Sequence, residues 1–291
     1  MLTKIKIFLE MIKFEHSIFA LPFAFMGAIL GAVVTTGDLP TWAQIGWITL
    51  AMIGARTAGM SLNRVIDKAI DAKNARTAQR AIPAGLLSAR QVLIYVILSF
   101  ALLFWATYHL SALSMKLLPI AVFFLVFYSY TKRFTWLCHF FLGITLGLAP
   151  LGGWVAVTGE VSPAAFIFFL TIVCWSAGFD LIYACQDAEF DRQEGLYSLP
   201  SRFGIAAALN TARTLHVLTA VGLVTLFFLT HLSWWYLAGL VIAYAILFYE
   251  HRLVSPKDLS KLNVAFFTMN GVLSVVVFVF TLLDVFMAHH S

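Results

Sequence analysis

Apolar runs of about twenty residues recur along almost the whole chain, at roughly 17–36, 42–63, 91–110, 114–130, 136–157, 163–184, 206–229, 233–249 and 263–286. A helix needs ~20 residues to cross the ~30 Å hydrocarbon core of a bilayer. Lipid offers the backbone no hydrogen-bonding partner, so runs of this length must satisfy their own amides as helices. The pattern predicts an all-α polytopic membrane protein with nine transmembrane helices. Composition agrees, since only 11% of the 291 residues are charged, against about 25% in soluble domains. The lipid bilayer is thus the first partner. Lys4, Lys6 and Lys13 precede the opening run, but that run is long and no small-residue cleavage site stands out, so it reads as a retained span. Cys138, Cys174 and Cys185 lie in or beside apolar runs without CxxC spacing, which argues against a disulfide framework or zinc site.

A net charge of +5 gives no reason to expect a nucleic-acid partner, but its distribution is informative. Loops near 37–41, 111–115, 158–162 and 230–232 are short and almost uncharged, whereas those near 64–90, 131–135, 185–205 and 250–262 hold most of the charge. With the N-terminus in the cytoplasm, every Lys and Arg except Lys116 and the mid-run Arg56 falls on that side. The positive-inside rule therefore predicts a multi-pass protein of a prokaryotic plasma membrane with a cytoplasmic N-terminus.

The second run ends in Asn63-Arg64-Val65-Ile66-Asp67-Lys68-Ala69-Ile70-Asp71. Asn63, Asp67 and Asp71 fall at i, i+4 and i+8, one stripe of oxygens on a helix. Asp187 and Asp191 make a second stripe 120 residues on (187 − 67 and 191 − 71), at the end of the sixth run. One DxxxD at a helix end is a weak signal, because a solvated terminus carries the same residues. Two copies at equivalent ends of membrane-length helices, both facing the cytoplasm, are another matter. Crowded carboxylates repel unless a cation intervenes. Hard oxygen ligands suit Mg2+, which also binds substrate phosphates. Metals held from two sides would bridge a diphosphate, with Lys132, Arg76 or Arg80 neutralising the remaining charge. The constant offset also hints at two related four-helix units, about 17–130 and 136–249, plus a ninth helix, all within a single domain over residues 1–291.

Three further features belong to the same face. Tyr128 and Lys132 are at i, i+4 and point into one cavity, or else anchor the helix at the interface. Arg56 lies seven residues before Asn63 and Asp180 seven before Asp187, so each is about two turns, ~10 Å, deeper on its stripe's face. Intramembrane charges face a partner or a polar cavity. Arg56 and Asp180 are expected at similar depth, as an ion pair or as contacts to a polar aromatic acceptor, the structural alternative being a lock between two helices. Glu15 and His16 are lesser candidates, while Asp38, Glu160 and Asp284 read as ordinary helix-end charges on the opposite face.

Together the Asn63–Asp71 segment, the following Arg76-Thr77-Ala78-Gln79-Arg80-Ala81-Ile82-Pro83-Ala84-Gly85, Tyr128 to Lys132, and Tyr183-Ala184-Cys185-Gln186-Asp187-Ala188-Glu189-Phe190-Asp191 resemble the UbiA superfamily of intramembrane prenyltransferases. The likeness covers nearly the whole chain and is greatest to the 4-hydroxybenzoate polyprenyltransferase-like branch. That branch also includes enzymes associated with 1,4-dihydroxy-6-naphthoate in the futalosine route to menaquinone. The resemblance implies nine transmembrane helices in a bundle around a central cavity, two Asp-rich motifs that bind Mg2+ and a polyprenyl diphosphate, and transfer of the prenyl group to a small aromatic acceptor in quinone biosynthesis. Carried over, Asn63, Asp67, Asp71, Asp187 and Asp191 would serve the metals, Lys132 would contact the diphosphate and Tyr128 would line the cavity. Two positions depart from the pattern: Asn63-Arg64 stands where many members have Asn-Asp, and Lys13-Phe14-Glu15-His16-Ser17 where 4-hydroxybenzoate enzymes carry Arg/Lys-x-Asp-x-Pro. The reaction implied is electrophilic aromatic substitution by an allylic cation, with diphosphate oxygen, Asp191 or Asp180 as the base. A secondary transporter would also use repeated helical units and buried charges, but the strongest polar residues here gather at one membrane face. A CDP-alcohol phosphotransferase is disfavoured because no DGxxAR-type segment follows either stripe.

Overall fold

The computed structural model describes residues 2–12 and 20–290. It is all helical, with α1 Leu2–Met11, α2 Leu21–Thr36, α3 Trp42–Ile66, α4 Lys68–Lys73, α5 Ala89–Tyr108, α6 Ala112–Thr131, α7 Cys138–Thr158, α8 Pro163–Ala184, α9 Ala188–Gln193, α10 Leu199–Phe203, α11 Ile205–Leu229, α12 Trp234–Arg252 and α13 Asn270–His290, the last entered through a π-helical turn, Val264–Met269. The boundaries follow local chemistry. Thr41 with Gln44 and Ser88 with Gln91 form reciprocal capping boxes at the starts of α3 and α5. At their other ends α2 and α7 stop on Gly37 and Gly159 in the left-handed conformation.

The expected count of nine spans is corrected. Among the described residues six helices are long and apolar enough to cross a bilayer: α5, α6, α7, α8 continued to Gln193, α11, and the helix over Val264–Ala288. The other three runs do form helices but fall outside that group. At 16 residues α2 is short. Arg56, Asn63 and Arg64 interrupt the apolar surface of α3, and Glu250, His251 and Arg252 close α12. Polar groups of this kind, which the interior of the bundle uses, lower the hydropathy of the helices that carry them.

α7 packs on α8, α3 on α5, α8 on α11, α2 on α7 and α12 on α13. The main core gathers Phe23, Trp154, Phe168, Trp175, Tyr236 and Leu273 from α2, α7, α8, α12 and α13. Phe23 meets Trp175 edge-on with ring centroids 5.0 Å apart. Because lipid tails are as apolar as these side chains, association depends on close packing more than on exclusion of water. Glycines make that packing possible. A Cβ on Gly27 would lie 2.1 Å from the Pro150 carbonyl oxygen, and one on Gly153 would lie 2.1 Å from that of Ala24. The α2 and α7 backbones therefore touch.

On the other face Asp284 is no ordinary terminal charge, contrary to expectation. Only 2% exposed, it accepts bonds from the Ser233 and Tyr236 amides at 2.9 Å and from Ser233 Oγ at 2.8 Å. A residue of α13 thereby caps the N-terminus of α12, where the helix's own orphan amides need acceptors. Asp284→Ala strands those buried donors and is expected to cost about 1–3 kcal/mol, read as a lower melting temperature in detergent with little change in catalytic rate.

Candidate functional site

Both acidic stripes sit where a long helix breaks into a six-residue one. Asp67, between α3 and α4, has φ/ψ of −89°/3°, and Asp187, entering α9, has −101°/3°. Two i→i−4 hydrogen bonds carry the first stripe through its break, Asp67 N to Asn63 O at 2.9 Å and Asp71 N to Asp67 O at 2.8 Å. Asn63, Asp67 and Asp71 thus keep the common face expected of a continuous helix.

Asp67 is buried and takes Lys132 Nζ at 2.9 Å and Arg133 Nη2 at 2.8 Å. Asn63 Nδ2 donates to Asp67 Oδ2 at 3.0 Å and to Ser129 Oγ at 3.3 Å. Asp71 takes Arg80 Nη1 at 2.7 Å through Oδ1. In the second stripe Arg76 grips Asp187 with two prongs, Nε at 3.1 Å and Nη2 at 2.5 Å, while Asn74 Nδ2 adds a third contact at 3.0 Å. Asp191 accepts Ser198 Oγ at 2.8 Å.

These contacts join the two stripes. The segment after α4 supplies Asn74 and Arg76 to Asp187, and Lys73 pairs with Glu194 at 2.5 Å. Lys132 binds Asp67 directly, its charge also reaches Asp191, and its carbonyl accepts the Tyr197 amide at 2.7 Å. The result is one vestibule of interleaved acids and bases at the ends of α3, α6 and α8. Partial burial works against the Arg76 charge, but the Asp187 hydrogen bonds and carboxylate outweigh it and hold its pKa above the ordinary arginine value. Arg76 is permanently cationic.

Below the vestibule α3, α5, α6 and α7 enclose an apolar cavity of about 240 Å³. Tyr128 and Gly59 line its upper part, and Ile48 and Leu118 belong to its wall. From Gly59 to Ile48 is eleven residues of helix, about 16 Å. Tyr128 donates to the Gly59 carbonyl at 3.3 Å. Arg56 is in the wall. Asp180 makes its ion pair elsewhere: His139 Nδ1 lies 2.7 Å from its Oδ2, so the expected Arg56–Asp180 pairing gives way to a His139–Asp180 pair between α7 and α8. Glu15 and His16 lie outside the described residues.

Reading the sequence had missed Arg133, Asn74, Ser198 and His139. Arg133 was legible as the neighbour of Lys132 at the same helix end. The others come from loops or neighbouring helices, with no spacing that announces them.

The vestibule's fit to a divalent ion can be judged from its donors. Among the described residues no three acidic, His or Cys side chains already converge on one point, because Asp67, Asp71 and Asp187 each turn toward a Lys or Arg. Yet Asp71 Oδ2 is buried without a hydrogen-bond partner while Oδ1 holds Arg80. An orphaned buried carboxylate oxygen is costly, and it is the hard ligand that Mg2+ prefers. The residues present fit such an ion.

Residues 21–272 match the family model described as the UbiA prenyltransferase family. The chain belongs to that family. It is a multi-pass, all-α membrane protein and a prenyltransferase. The 4-hydroxybenzoate octaprenyltransferase of Thiobacillus denitrificans is 32% identical over 230 residues, covering 78% of this chain and 76% of that relative. The UbiA homologue of Aeropyrum pernix K1, solved in its apo form, has a TM-score of 0.84 at 28% identity and covers 93% of this chain and 98% of its own. A UbiA homologue from Archaeoglobus fulgidus, bound to GPP and Mg2+, shares the fold with a TM-score of 0.75 at 18% identity, over 96% and 99% of the two chains. Divalent cations and prenyl diphosphates are thus ligands of UbiA-family proteins.

Proposed function

We propose that this UbiA-family protein transfers a polyprenyl group from a polyprenyl diphosphate to an aromatic acid of respiratory quinone biosynthesis; its relative's name, 4-hydroxybenzoate octaprenyltransferase, supports the prenyl group and the aromatic acid. The observation that carries this reading is a vestibule of four aspartates interleaved with Lys132, Arg76, Arg80 and Arg133, set directly above an apolar cavity. The two surfaces suit the two ends of a prenyl diphosphate. Positive charge in the loops around the vestibule supports placing it at the cytoplasmic face.

Asn63, Asp67, Asp71, Asp187 and Asp191 would hold Mg2+, which, when bound, supplies positive charge to the leaving diphosphate. Arg76 and Arg80 then exchange carboxylate for phosphate oxygens, and their planar forks suit both partners. Lys132, between Asp67 and Asp191, stands where the diphosphate crosses from one stripe to the other. As the allylic C1–O bond breaks, the electron pair leaves with the diphosphate, and the apolar walls below keep water from the cation. Tyr128 lines the cavity just beneath that point. Arg56 and Asp180, deeper on the stripe faces, would meet the aromatic acceptor. A cavity of about 240 Å³ falls below the ~300–1,000 Å³ common for ligand clefts, so it suits the first part of a prenyl chain, with the remainder running outward between helices.

Membranes carrying the protein, given radiolabelled prenyl diphosphate, Mg2+ and a panel that includes 4-hydroxybenzoate and 1,4-dihydroxy-6-naphthoate, are expected to form a prenylated aromatic product. Vesicles that accumulate the aromatic acid without prenylating it would make the protein a transporter instead. A blocked cavity tests the chain's path. Ala51, in the cavity wall, lies two turns, about 12 Å, below Gly59, and Ala51→Trp is expected to lower kcat/KM for long polyprenyl diphosphates about tenfold while sparing geranyl diphosphate.

A further inference from the structure

Arg76 must change partners in the proposed reaction, from Asp187 to phosphate oxygens once Asp187 serves the metal. A long side chain that gives up its carboxylate regains many rotamers, so a second contact is needed to keep it in the vestibule. We propose that the π-helical turn Val264–Met269 holds Arg76 in place through that exchange, with Phe266 and Tyr183 as positioning residues; this inference rests on the prenyl-transfer reading above.

The guanidinium divides its hydrogens between two partners. Nε and Nη2 form the edge that grips Asp187, at 3.1 and 2.5 Å. That same edge matches a pair of phosphate oxygens. Nη1 lies outside it and donates to the Tyr183 hydroxyl at 3.2 Å, while Arg76 Cζ is 5.4 Å from the centroid of the Tyr183 ring. The tyrosine contact therefore leaves the gripping edge free and does not depend on Asp187. The Arg76 amide donates to Asn74 Oδ1 at 2.9 Å, so the backbone has an anchor of its own.

Tyr183 can hold Arg76 only if its own ring is fixed, and it sits one residue from the end of α8. The ring stacks on Phe266, with centroids 4.1 Å and planes 29° apart, and meets Phe267 edge-on at 5.8 Å. Phe266 in turn stands edge-on to Phe179 at 5.3 Å. Phe179 and Tyr183 are at i and i+4 on α8, so they clasp Phe266 between successive turns. Offset and edge-on pairs of this kind stabilise beyond the area they bury.

Both phenylalanines belong to the π-helical turn that leads into α13. Such turns are rare and concentrate at functional sites. Here a buried side chain locks the turn. Asn270 Nδ2 lies 3.1 Å from the carbonyl oxygens of both Ala265 and Phe266, and 2.7 Å from Glu250 Oε1. Carbonyl oxygens only accept, so the amide nitrogen must face them, with one hydrogen for Glu250 and the other shared between the two carbonyls. Asn270 and Glu250 are both buried. The lock fixes the backbone of the turn, the turn aims Phe266, and Phe266 backs Tyr183. One line of contacts thus runs from Glu250 on α12 to the guanidinium of Arg76.

The test is equilibrium binding of radiolabelled geranyl diphosphate, with Mg2+, to the purified full-length protein in nanodiscs. Arg76→Ala is expected to weaken binding about thirtyfold, as for loss of a charged hydrogen-bonding group. Phe266→Leu, which removes the stacked ring, is expected to weaken it about fivefold, while Phe266→Tyr keeps the ring and stays within about twofold of wild type. Tyr183→Phe gives up only the hydroxyl, for a loss of about threefold. In the Arg76→Ala background neither Phe266→Leu nor Tyr183→Phe is expected to weaken binding further, because residues that act through one arginine are not additive. The inference is overturned if Phe266→Leu binds like wild type. It is also overturned if its loss adds in full to that of Arg76→Ala, the mark of a general packing defect. Should Phe266→Leu not fold, the Tyr183→Phe cycle decides by the same two criteria. A wild-type protein that fails to bind geranyl diphosphate would bring down the prenyl-transfer reading itself, a failure separate from either of these.

Discussion

Asp71→Asn and Asp191→Asn are each expected to reduce Mg2+-dependent prenyl transfer by about a hundredfold to a thousandfold, the range seen when one preorganised electrostatic contact to a transition state is removed. In Asp71 the two oxygens have different tasks. Oδ1 holds Arg80 at 2.7 Å, and Oδ2 is buried with no partner in the protein. An amide keeps one neutral acceptor and replaces the other oxygen with a donor, so it opposes a cation where the carboxylate would bind one. Asp191 lacks a direct Lys or Arg partner and accepts only Ser198 among the described side chains, so its charge is similarly available. Initial rates across a Mg2+ titration, at saturating substrates, give the measurement. Excess metal is not expected to restore the wild-type rate, and activity within about tenfold of wild type in both variants would end the metal assignment.

Gly153→Leu is expected to have the largest effect on folding. Its first added atom would stand 2.1 Å from the Ala24 carbonyl oxygen and 3.2 Å from the Ala28 amide nitrogen, all backbone that belongs to a regular helix. No rotamer relieves such a clash, so α2 must move off α7. That separation loosens Trp154 and Phe23 in the main core, and the loss is expected to exceed the ~3 kcal/mol upper range of ordinary overpacking. Thermal unfolding and monodisperse yield in mild detergent report it. Gly46→Ala is the control, because a Cβ there meets nothing within 4 Å and alanine favours the helix by up to about 1 kcal/mol. Equal behaviour of the two variants would show that the α2–α7 backbone contact does not hold the bundle together.

The sequence was most legible where a physical rule acts along one helix. Apolar length located α8 at Pro163–Ala184, the run expected. Spacing of four put Asn63, Asp67 and Asp71 on one face, which the hydrogen bonds through the break preserve. Rules of this kind do not say which neighbour a side chain meets. Asp180 was expected beside Arg56 and instead pairs with His139, 41 residues away in sequence. Asp284 is expected to be an ordinary helix-end charge, yet packing of α13 on α12 makes it the cap of α12. Counting apolar runs as spans also went too far, because α3 and α12 carry the polar groups that the bundle's interior needs.

By itself the sequence determined an all-helical membrane protein with two acidic stripes at one face, since backbone hydrogen bonding in lipid and the 3.6-residue period leave no other arrangement for such runs. The tertiary structure alone decided that the stripes share one vestibule, that Asp67, Asp71 and Asp187 there each hold a Lys or Arg, and that a histidine holds Asp180. The reason is geometric. Local periodicity fixes depth and face along each helix, whereas the rotation and neighbours of a helix are set by the close approach of backbones such as Gly27 on Pro150, which only the packed bundle specifies.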